Sequence, residues 1–234
     1  MKKILISTAI VSLFSLGLRA ETAQERLRAS AEVFHAVMAT PDKGVPQDLL
    51  NKAYCVVIVP GLKKGAFIVG GEYGKGYAIC RSGRGMGWGA PAAIRVAGGS
   101  LGFQLGGSST DVVMLIMNEH GMKELDKDKF TLGADASVAA GPVGRSAAAK
   151  TDAYMSAEIL SWSRTQGLFA GIALNGATLR PDKDDNKELY GKPLGSRAIL
   201  MTSTAPPASA RQLLSELDRY SMRKDGSSSA DPSR

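Results

Sequence analysis

Glycine interrupts the strand-like middle of this 234-residue chain at short intervals. The segment from Gly61 to Gly107 holds 15 of the chain's 27 glycines, and it reads GLKKGAFIVGGEYGKGYAICRSGRGMGWGAPAAIRVAGGSLGFQLGG. Glycine inside apolar strand patterns marks tight turns and places where two backbones approach closely. The segment therefore predicts a glycine-rich β-sheet whose turns and strand contacts depend on missing side chains.

Most of the apolar runs are short and bounded by Gly, Pro, Asn or Ser, which is typical of antiparallel strands joined by hairpins. The predicted strands are Cys55 to Val59, Ala66 to Val69, Tyr77 to Arg81, Ala92 to Val96, Leu101 to Leu105, Val112 to Met117, Ala134 to Ala139, Met155 to Trp162, Leu168 to Leu174 and Ala198 to Thr202.

Helices are predicted on both sides of the strand-rich region. Thr22 and Glu25 match a capping box, and apolar residues recur at helical spacing up to Met38. Further helical segments are predicted at Pro46 to Ala53, Met122 to Leu125, Lys183 to Leu189 and Ser209 to Tyr220. The pattern predicts a single α+β fold. A strongly twisted, mainly antiparallel, glycine-rich sheet, with a barrel-like sheet as the alternative, packs against N-terminal and C-terminal helices.

The N-terminus predicts export. A basic start, an apolar run from Ile4 to Leu18 and the small residue Ala20 are typical of a secretory signal peptide over residues 1–20. A membrane anchor is the alternative, although the run is shorter than the ~20 residues that span a bilayer. We expect one domain over residues 21–222, a disordered tail over 223–234, and a periplasmic protein or one peripherally associated with the envelope membrane.

Positive charge is concentrated in the glycine-rich segment. Loss of Lys2, Lys3 and Arg19 with the signal peptide would leave 26 of the 29 basic residues against 22 acidic ones, lowering the net charge from +7 to +4. Between Gly61 and Arg95, six basic residues face only one acidic residue, Glu72. The six are Lys63, Lys64, Lys75, Arg81, Arg84 and Arg95. This asymmetry indicates an anionic partner; a basic face kept only for solubility is the alternative.

Two cysteines, Cys55 and Cys80, lie in or beside strand-like runs that could be neighbours in a sheet. In an oxidising compartment such a pair can form a disulfide. Two buried thiols acting as small hydrophobic side chains are the alternative.

Catalytic motifs fit the chain poorly. Gly98 to Gly102 matches the G-x-S-x-G pattern of a serine hydrolase, with Ser100 as nucleophile and Asp111 and His120 following in hydrolase order. A nucleophile elbow turns from a strand into a helix, whereas the residues after Ser100 continue as a strand. We therefore predict no enzyme, with a serine hydrolase as the minor alternative.

Cofactor and metal motifs fail as well. Gly74, Lys75 and Gly76 lack the Ser or Thr and the following helix of a phosphate loop. Asp182, Asp184 and Asn186 alternate like an EF-hand start, but Lys187 occupies the required glycine position. We interpret this stretch as a solvated acidic turn. No metal and no cofactor are predicted.

A membrane surface makes better use of these residues. Each Lys or Arg near an anionic bilayer contributes up to ~1 kcal/mol, and Trp88, on a glycine-flanked turn, could sit at the interface where amphipathic rings are favoured. The predicted lipid-binding set is therefore the six basic residues and Trp88. Nucleic acid is not an expected partner of an exported protein.

Four blocks, in order, resemble the signature blocks of a known family. They are GAFIVGGEYGKGYAICRS, GWGAPAAIRVAGGSLGFQLGGSSTDVVMLIMN, FTLGADASVAAGPVGR and SWSRTQGLFAGIALNGATLRPDKDDNKELYG. From about Ala53 to Thr202 the chain resembles the SYLF family, lipid-binding domains also called Ysc84-type actin-binding domains.

The resemblance implies phospholipid binding. Eukaryotic members bind phosphoinositides, and some bind actin while an attached SH3 domain recruits partners. This chain has a predicted signal peptide and no SH3 segment, so actin is not expected as a partner. We expect a non-enzymatic protein of the bacterial cell envelope that binds anionic phospholipid. The alternative is a structural module that binds an envelope protein or an anionic glycan.

Overall fold

The computed structural model describes residues 20–40, 44–66, 70–82, 87–100, 106–143, 156–165 and 167–221. The helices are α1 (Ala23–Met38), α2 (Gln47–Lys52), α3 (Glu119–Glu124), α4 (Lys183–Tyr190), α5 (Ser196–Leu200) and α6 (Arg211–Ser221), with a 3₁₀ turn at Ala208–Ala210. The strands are β1 (Cys55–Ala66), β2 (Gly70–Cys80), β3 (Ala92–Ser100), β4 (Gly106–Ile116), β5 (Phe130–Thr131), β6 (Val138–Ala140), β7 (Ile159–Thr165), β8 (Leu168–Gly171) and β9 (Thr178–Pro181).

One curled sheet contains all nine strands. Its order is β5-β9-β3-β2-β1-β4-β7-β6, and β8 pairs with β7. Among the described strand pairs, β6 with β7 is the one that runs parallel. Strands at ~4.8 Å spacing would put β5 and β6 ~34 Å apart if the sheet were flat. Thr131 and Val138 are only about seven residues apart, a reach of at most ~24 Å. The sheet must therefore bend, and it forms a half-barrel.

A bulge in β1 produces part of this curvature. The register of β1 shifts between Ile58 and Lys63 against β2, and Gly61 within the bulge has φ +58°, a conformation that side chains disfavour. Opposite the bulge, a Cβ at Gly76 would lie 2.0 Å from the carbonyl oxygen of Ile58. Gly76 is therefore required for the close approach of the two backbones.

The two faces of the sheet bury two separate cores. Phe130 of β5 and Ile159 of β7, near opposite edges of the strand order, belong to one core cluster with Val57, so this face is the inside, or concave face, of the curl. The convex face, with Ile58, Tyr77 and Leu160 among its residues, packs under α1 and α6. Because both faces are covered there, the strands read as nearly continuous apolar runs rather than as alternating patterns.

Apolar packing and a hydrogen bond at its N-terminus hold α1 on the convex face. The predicted capping box forms, since Thr22 Oγ1 accepts from the Glu25 N–H and the Glu25 carboxylate accepts from the Thr22 N–H. Leu27, Ala31 and Phe34 are buried, and the hydroxyl of Tyr77 donates to the carbonyl oxygen of Ala23 at 2.6 Å. The start of α1 is thereby held against β2.

The predicted α+β fold, with its twisted, mainly antiparallel sheet and flanking helices, is confirmed. The helical predictions at Met122 to Leu125, Lys183 to Leu189 and Ser209 to Tyr220 each coincide with a helix. The strand predicted at Ala198 to Thr202 was wrong, because residues from Ser196 to Leu200 form α5 and bury Ile199 beside Ala90 and Ala92. Much of Ala66 to Val69 and all of Leu101 to Leu105 lie outside the described residues.

Candidate functional site

The predicted basic residues divide into paired and unpaired groups in the structure. Lys75 belongs to the paired group. Its Nζ lies 2.7 Å from Asp182 Oδ2 and 2.9 Å from Asp185 Oδ1, and Asp185 also accepts a hydrogen bond from the buried Arg26. These contacts join α1, β2 and the start of α4, so Lys75 has a structural role here.

Asp182 is a buried carboxylate in this cluster, and it also caps α4. Burial by itself would raise its pKa, but the hydrogen bonds from Lys75 and from the Asp185 N–H outweigh burial and hold the pKa below the ordinary 3.8. Burial likewise acts to lower the pKa of Lys75, and hydrogen bonds to the two carboxylates raise it above 10.5. Both groups are charged at neutral pH.

Because the pKa of Asp182 is lower in the folded protein than in the unfolded chain, the free energy of unfolding should decrease at acidic pH. The unfolded chain protonates Asp182 first as pH falls, so this stabilisation is complete above about pH 4 and is lost below it. We expect Asp182→Asn, which keeps a helix cap, to reduce the free energy of unfolding by about 2 kcal/mol at pH 7. Urea unfolding should show that the difference from wild type shrinks toward about pH 3. A difference independent of pH would contradict the assignment.

Trp88 is buried, and the half-buried Arg81 lies against it. Arg81 donates to the carbonyl oxygens of Leu50 at 3.2 Å and Ser221 at 2.7 Å. Its guanidinium stacks 3.9 Å from the ring centroid of Trp88, and Trp88, only 7% exposed, donates from Nε1 to Ser221 Oγ. The Arg81 guanidinium and Ser221 thus occupy the face and the polar edge of the Trp88 ring. Neither Arg81 nor Trp88 is therefore included in the candidate lipid-binding site.

Lys64, another of the predicted residues, has its positive charge paired in the described structure. Lys64 Nζ lies 3.4 Å from the carboxylate of the buried Glu72, its direct neighbour on β2. Arg84 lies outside the described residues.

Lys63 and Arg95 remain exposed, and the fold adds Arg180 beside them. Arg95 and Arg180 are direct partners in the pairing of β3 with β9. All three side chains are exposed, and among the described residues none of the three lies in an ion pair within 4 Å. Ile94, Val96 and Leu179 belong to the concave core, so Arg95 and Arg180 point to the convex side.

Tyr73 extends this surface. Its cross-strand partners are Lys63 on β1 and Ala97 on β3, and its side chain is 48% exposed. Tyr73 shares the convex face with Tyr77, four residues along the strand. We call the surface formed by Lys63, Tyr73, Arg95 and Arg180 the convex basic patch.

The acidic residues around the convex basic patch have cationic partners of their own. Asp111 accepts from Arg164 Nε at 2.8 Å and from the Gly61 N–H. Asp182 and Asp185 are paired with Lys75, although Arg95 also helps to lower the pKa of Asp182. The positive charges of Lys63, Arg95 and Arg180 are therefore the ones most available to a ligand on this face.

Beyond the patch, glycines line the described part of the convex face on four neighbouring strands. Four glycines stand opposite one another across β3, β2, β1 and β4, in the order Gly99, Gly71, Gly65 and Gly107. A Cβ added at Gly65 or Gly99 would meet nothing within 4 Å. We call this end of the sheet the glycine end.

Cys55 and Cys80 are joined by a disulfide in the structure. They are directly opposite each other on β1 and β2, and both are buried in the concave core. The bond lies at the end of the sheet remote from the glycine end, where it fixes the register of the two strands.

The serine-hydrolase alternative does not assemble. Ser100 ends β3 at the glycine end, opposite Gly70. His120 follows the far end of β4, on the order of 33 Å along that strand, and its Nδ1 lies 2.6 Å from a Glu158 oxygen. Asp111 is engaged by Arg164. These three residues cannot form one catalytic triad.

The acidic turn predicted at Asp182, Asp184 and Asn186 is instead the start of α4. Asp182 and Asn186 are buried, and Asn186 accepts from the Ala93 N–H at 2.8 Å. No cluster of His, Cys, Asp or Glu able to hold a metal ion occurs among the described residues. In the same part of the chain, every helix is too short or too polar to cross a bilayer.

Sequence reasoning missed Arg180 and the exposure of Tyr73. Arg180 is 85 residues from Arg95 in the chain, and only the pairing of β3 with β9 brings them together. The alternation Thr178, Leu179, Arg180, Pro181 offered a strand signal with one face apolar, but nothing local identified its partner strand.

Comparisons with known proteins place the chain in a family. A family model described as Ysc84, Las17-binding protein actin regulator, matches residues 97–220. An SH3 domain-containing protein of Schizosaccharomyces pombe is 35% identical over 172 residues, 72% of this chain and 40% of that protein. SH3 domain-containing YSC84-like protein 1 of Homo sapiens is 33% identical over 181 residues, 77% of this chain and 52% of that protein.

LAS seventeen-binding protein 3 of Saccharomyces cerevisiae is 33% identical over 180 residues, 76% of this chain and 39% of that protein. The chain thus spans about half, or less, of the length of these curated relatives. The aligned lengths exceed the part matched by the family model, so the similarity includes most of the folded region. With its four sequence blocks and its half-barrel sheet, the chain belongs to the Ysc84 family of SYLF domains.

Proposed function

We propose that this protein binds anionic phospholipid membranes through the convex basic patch. The observation that carries the proposal is the cross-strand pair Arg95 and Arg180, exposed on the same face as Lys63 and Tyr73. Like charges placed directly opposite each other destabilise a sheet, and such a pair is relieved by an anionic ligand. A planar guanidinium fork matches the oxygens of a phosphate group.

The binding free energy expected from the convex basic patch is of the size needed for reversible binding to a membrane surface. Three cations near an anionic bilayer contribute about 3 kcal/mol at low salt, and an interfacial tyrosine adds apolar contact. This supports a peripheral attachment. The location that goes with it is the bacterial cell envelope, as predicted from residues 1–20, and no catalysis is assigned.

Sedimentation with vesicles tests the proposal. We expect the protein to pellet with phosphatidylglycerol vesicles and to remain in solution with phosphatidylcholine vesicles. Binding should fall steeply as salt rises from about 0.01 M to about 1 M, because the screening length shrinks from ~30 Å to ~3 Å. Equal binding to both lipids, or binding that salt does not change, would contradict an electrostatic attachment.

A protein partner is the second candidate, since the matching family description names a Las17-binding actin regulator. Here the partner would be a protein of the envelope. Crosslinking in intact cells separates the two proposals, because a stoichiometric protein adduct on the convex face supports the second and lipid adducts support the first.

A further inference from the structure

The glycine end carries exposed apolar side chains at two places. Tyr73 is 48% exposed, and Leu168 is 62% exposed at the start of β8. Leu168 pairs with Thr165, whose hydroxyl lies 3.1 Å from that of Thr110 on β4. Thr110 is adjacent to Ser109, which pairs with Lys63. The β7-β8 hairpin therefore ends near the level of Tyr73.

Two of the three cations lie behind these apolar side chains along the strand axis. Lys63 is level with Tyr73, whereas Arg95 pairs with Lys75, two residues further from the glycine end. Two residues of a strand advance ~7 Å. Arg95 and Arg180 thus form a basic row about 7 Å behind Tyr73.

The arrangement of apolar side chains in front and arginines about 7 Å behind matches the order of layers in an anionic bilayer, where the acyl chains lie below the phosphates. A protein entering it places aromatic and aliphatic side chains below the phosphates and Lys or Arg at their level. The helices α1 and α6 cover the convex face only further along the strands, over Ile58, Tyr77 and Val113. At the glycine end, no described element would hold the bilayer away.

We infer that the protein docks with its glycine end toward the membrane, with Tyr73 in the interfacial layer and Arg95 and Arg180 at the lipid phosphates. This inference rests on the proposed function and adds an orientation to it. The Cys55 end of the sheet, with Tyr54, then faces away from the bilayer.

The chain offers a matched pair of reporters. Tyr54 is 40% exposed, and its carbonyl oxygen accepts from the Arg81 N–H just beyond β2. It lies about eight residues, or ~26 Å, along the strand from Tyr73. Tyr73→Trp and Tyr54→Trp place the same probe at the two ends of the sheet. The two native tryptophans, Trp88 and Trp162, are buried and give a common background.

The experiment compares tryptophan emission of both variants with phosphatidylglycerol vesicles that contain brominated acyl chains. All proteins are purified in the same mature form, and sedimentation is measured on the same samples. We expect a blue shift and quenching for Tyr73→Trp and neither for Tyr54→Trp. Quenching of Tyr54→Trp alone, or equal quenching of both, with full sedimentation, would overturn the orientation and leave lipid binding standing.

Failure of every protein to sediment would instead refute the proposed function. A blue shift of Tyr73→Trp without vesicles that grows with protein concentration would show that the glycine end contacts a second copy of the chain, which also overturns the inference. As an independent check, Leu168→Asp should weaken sedimentation about tenfold, while Tyr54→Asp, at another exposed apolar side chain, should leave it unchanged within about twofold.

Discussion

Replacing Gly76 with alanine is expected to reduce the free energy of unfolding by about 3 kcal/mol, while the same change at Gly65 should cost under about 0.5 kcal/mol. A Cβ at Gly76 would lie 2.0 Å from the Ile58 carbonyl oxygen and 2.8 Å from Val59 Cα. Both atoms belong to the backbone, which cannot rotate away. At Gly65 the added methyl group meets nothing within 4 Å.

Gly74 provides an intermediate case. Its Cβ would lie 2.8 Å from the end of the Leu62 side chain and from a methyl group of Val59, and 3.2 Å from the backbone Cα of Leu62. Because side-chain ends can move, Gly74→Ala should cost about 1 to 2 kcal/mol. Urea unfolding of the three variants should give the order Gly76, Gly74, Gly65. Equal costs would contradict the distinction between glycines that permit close backbone contact and glycines that leave a surface open.

That distinction could not be read from the sequence. The dense glycines correctly indicated a sheet of close approaches and tight turns. Their two roles differ only in tertiary context, since Gly76 faces the bulge of β1 and Gly65 faces open space. The register between strands decides whether a glycine lies against another backbone or on an open surface. That register depends on strands that are distant in the chain.

The helices were more predictable, because their signals are local. The capping box of Thr22 and Glu25 and the apolar spacing of α6 sufficed to predict two of the helices that pack on the convex face. The strand prediction at Ala198 to Thr202 was wrong because a run of four apolar residues is too short to distinguish a helical turn from a strand.

The candidate site was predicted only in part. Composition identified a basic segment, and Lys63 and Arg95 are exposed as an anion-binding surface requires. Composition could not show that Lys75 is paired by carboxylates more than 100 residues away, or that Arg81 stacks on Trp88. Arg180 entered the site because β9 pairs with β3.

The convex basic patch is the centre of this account, and removal of its arginine pair should have the largest effect on membrane binding. Arg95→Gln/Arg180→Gln eliminates two positive charges and keeps polar side chains at exposed positions. The loss of about 2 kcal/mol corresponds to roughly 30-fold weaker partition into phosphatidylglycerol vesicles. Stability should change little, since neither side chain is in an ion pair within 4 Å among the described residues.

The matched control is Lys52→Gln/Lys123→Gln, which removes the same net charge at the Cys55 end. Lys52 ends α2 just before β1, and Lys123 lies in α3 just after β4, opposite the glycine end. The most direct measurement is vesicle partition of both double variants and wild type at low salt, with thermal unfolding checked on each. We predict roughly 30-fold weaker binding for the arginine variant and less than about threefold for the control; equal losses, or no loss for the arginine variant, would contradict a binding site on the convex face.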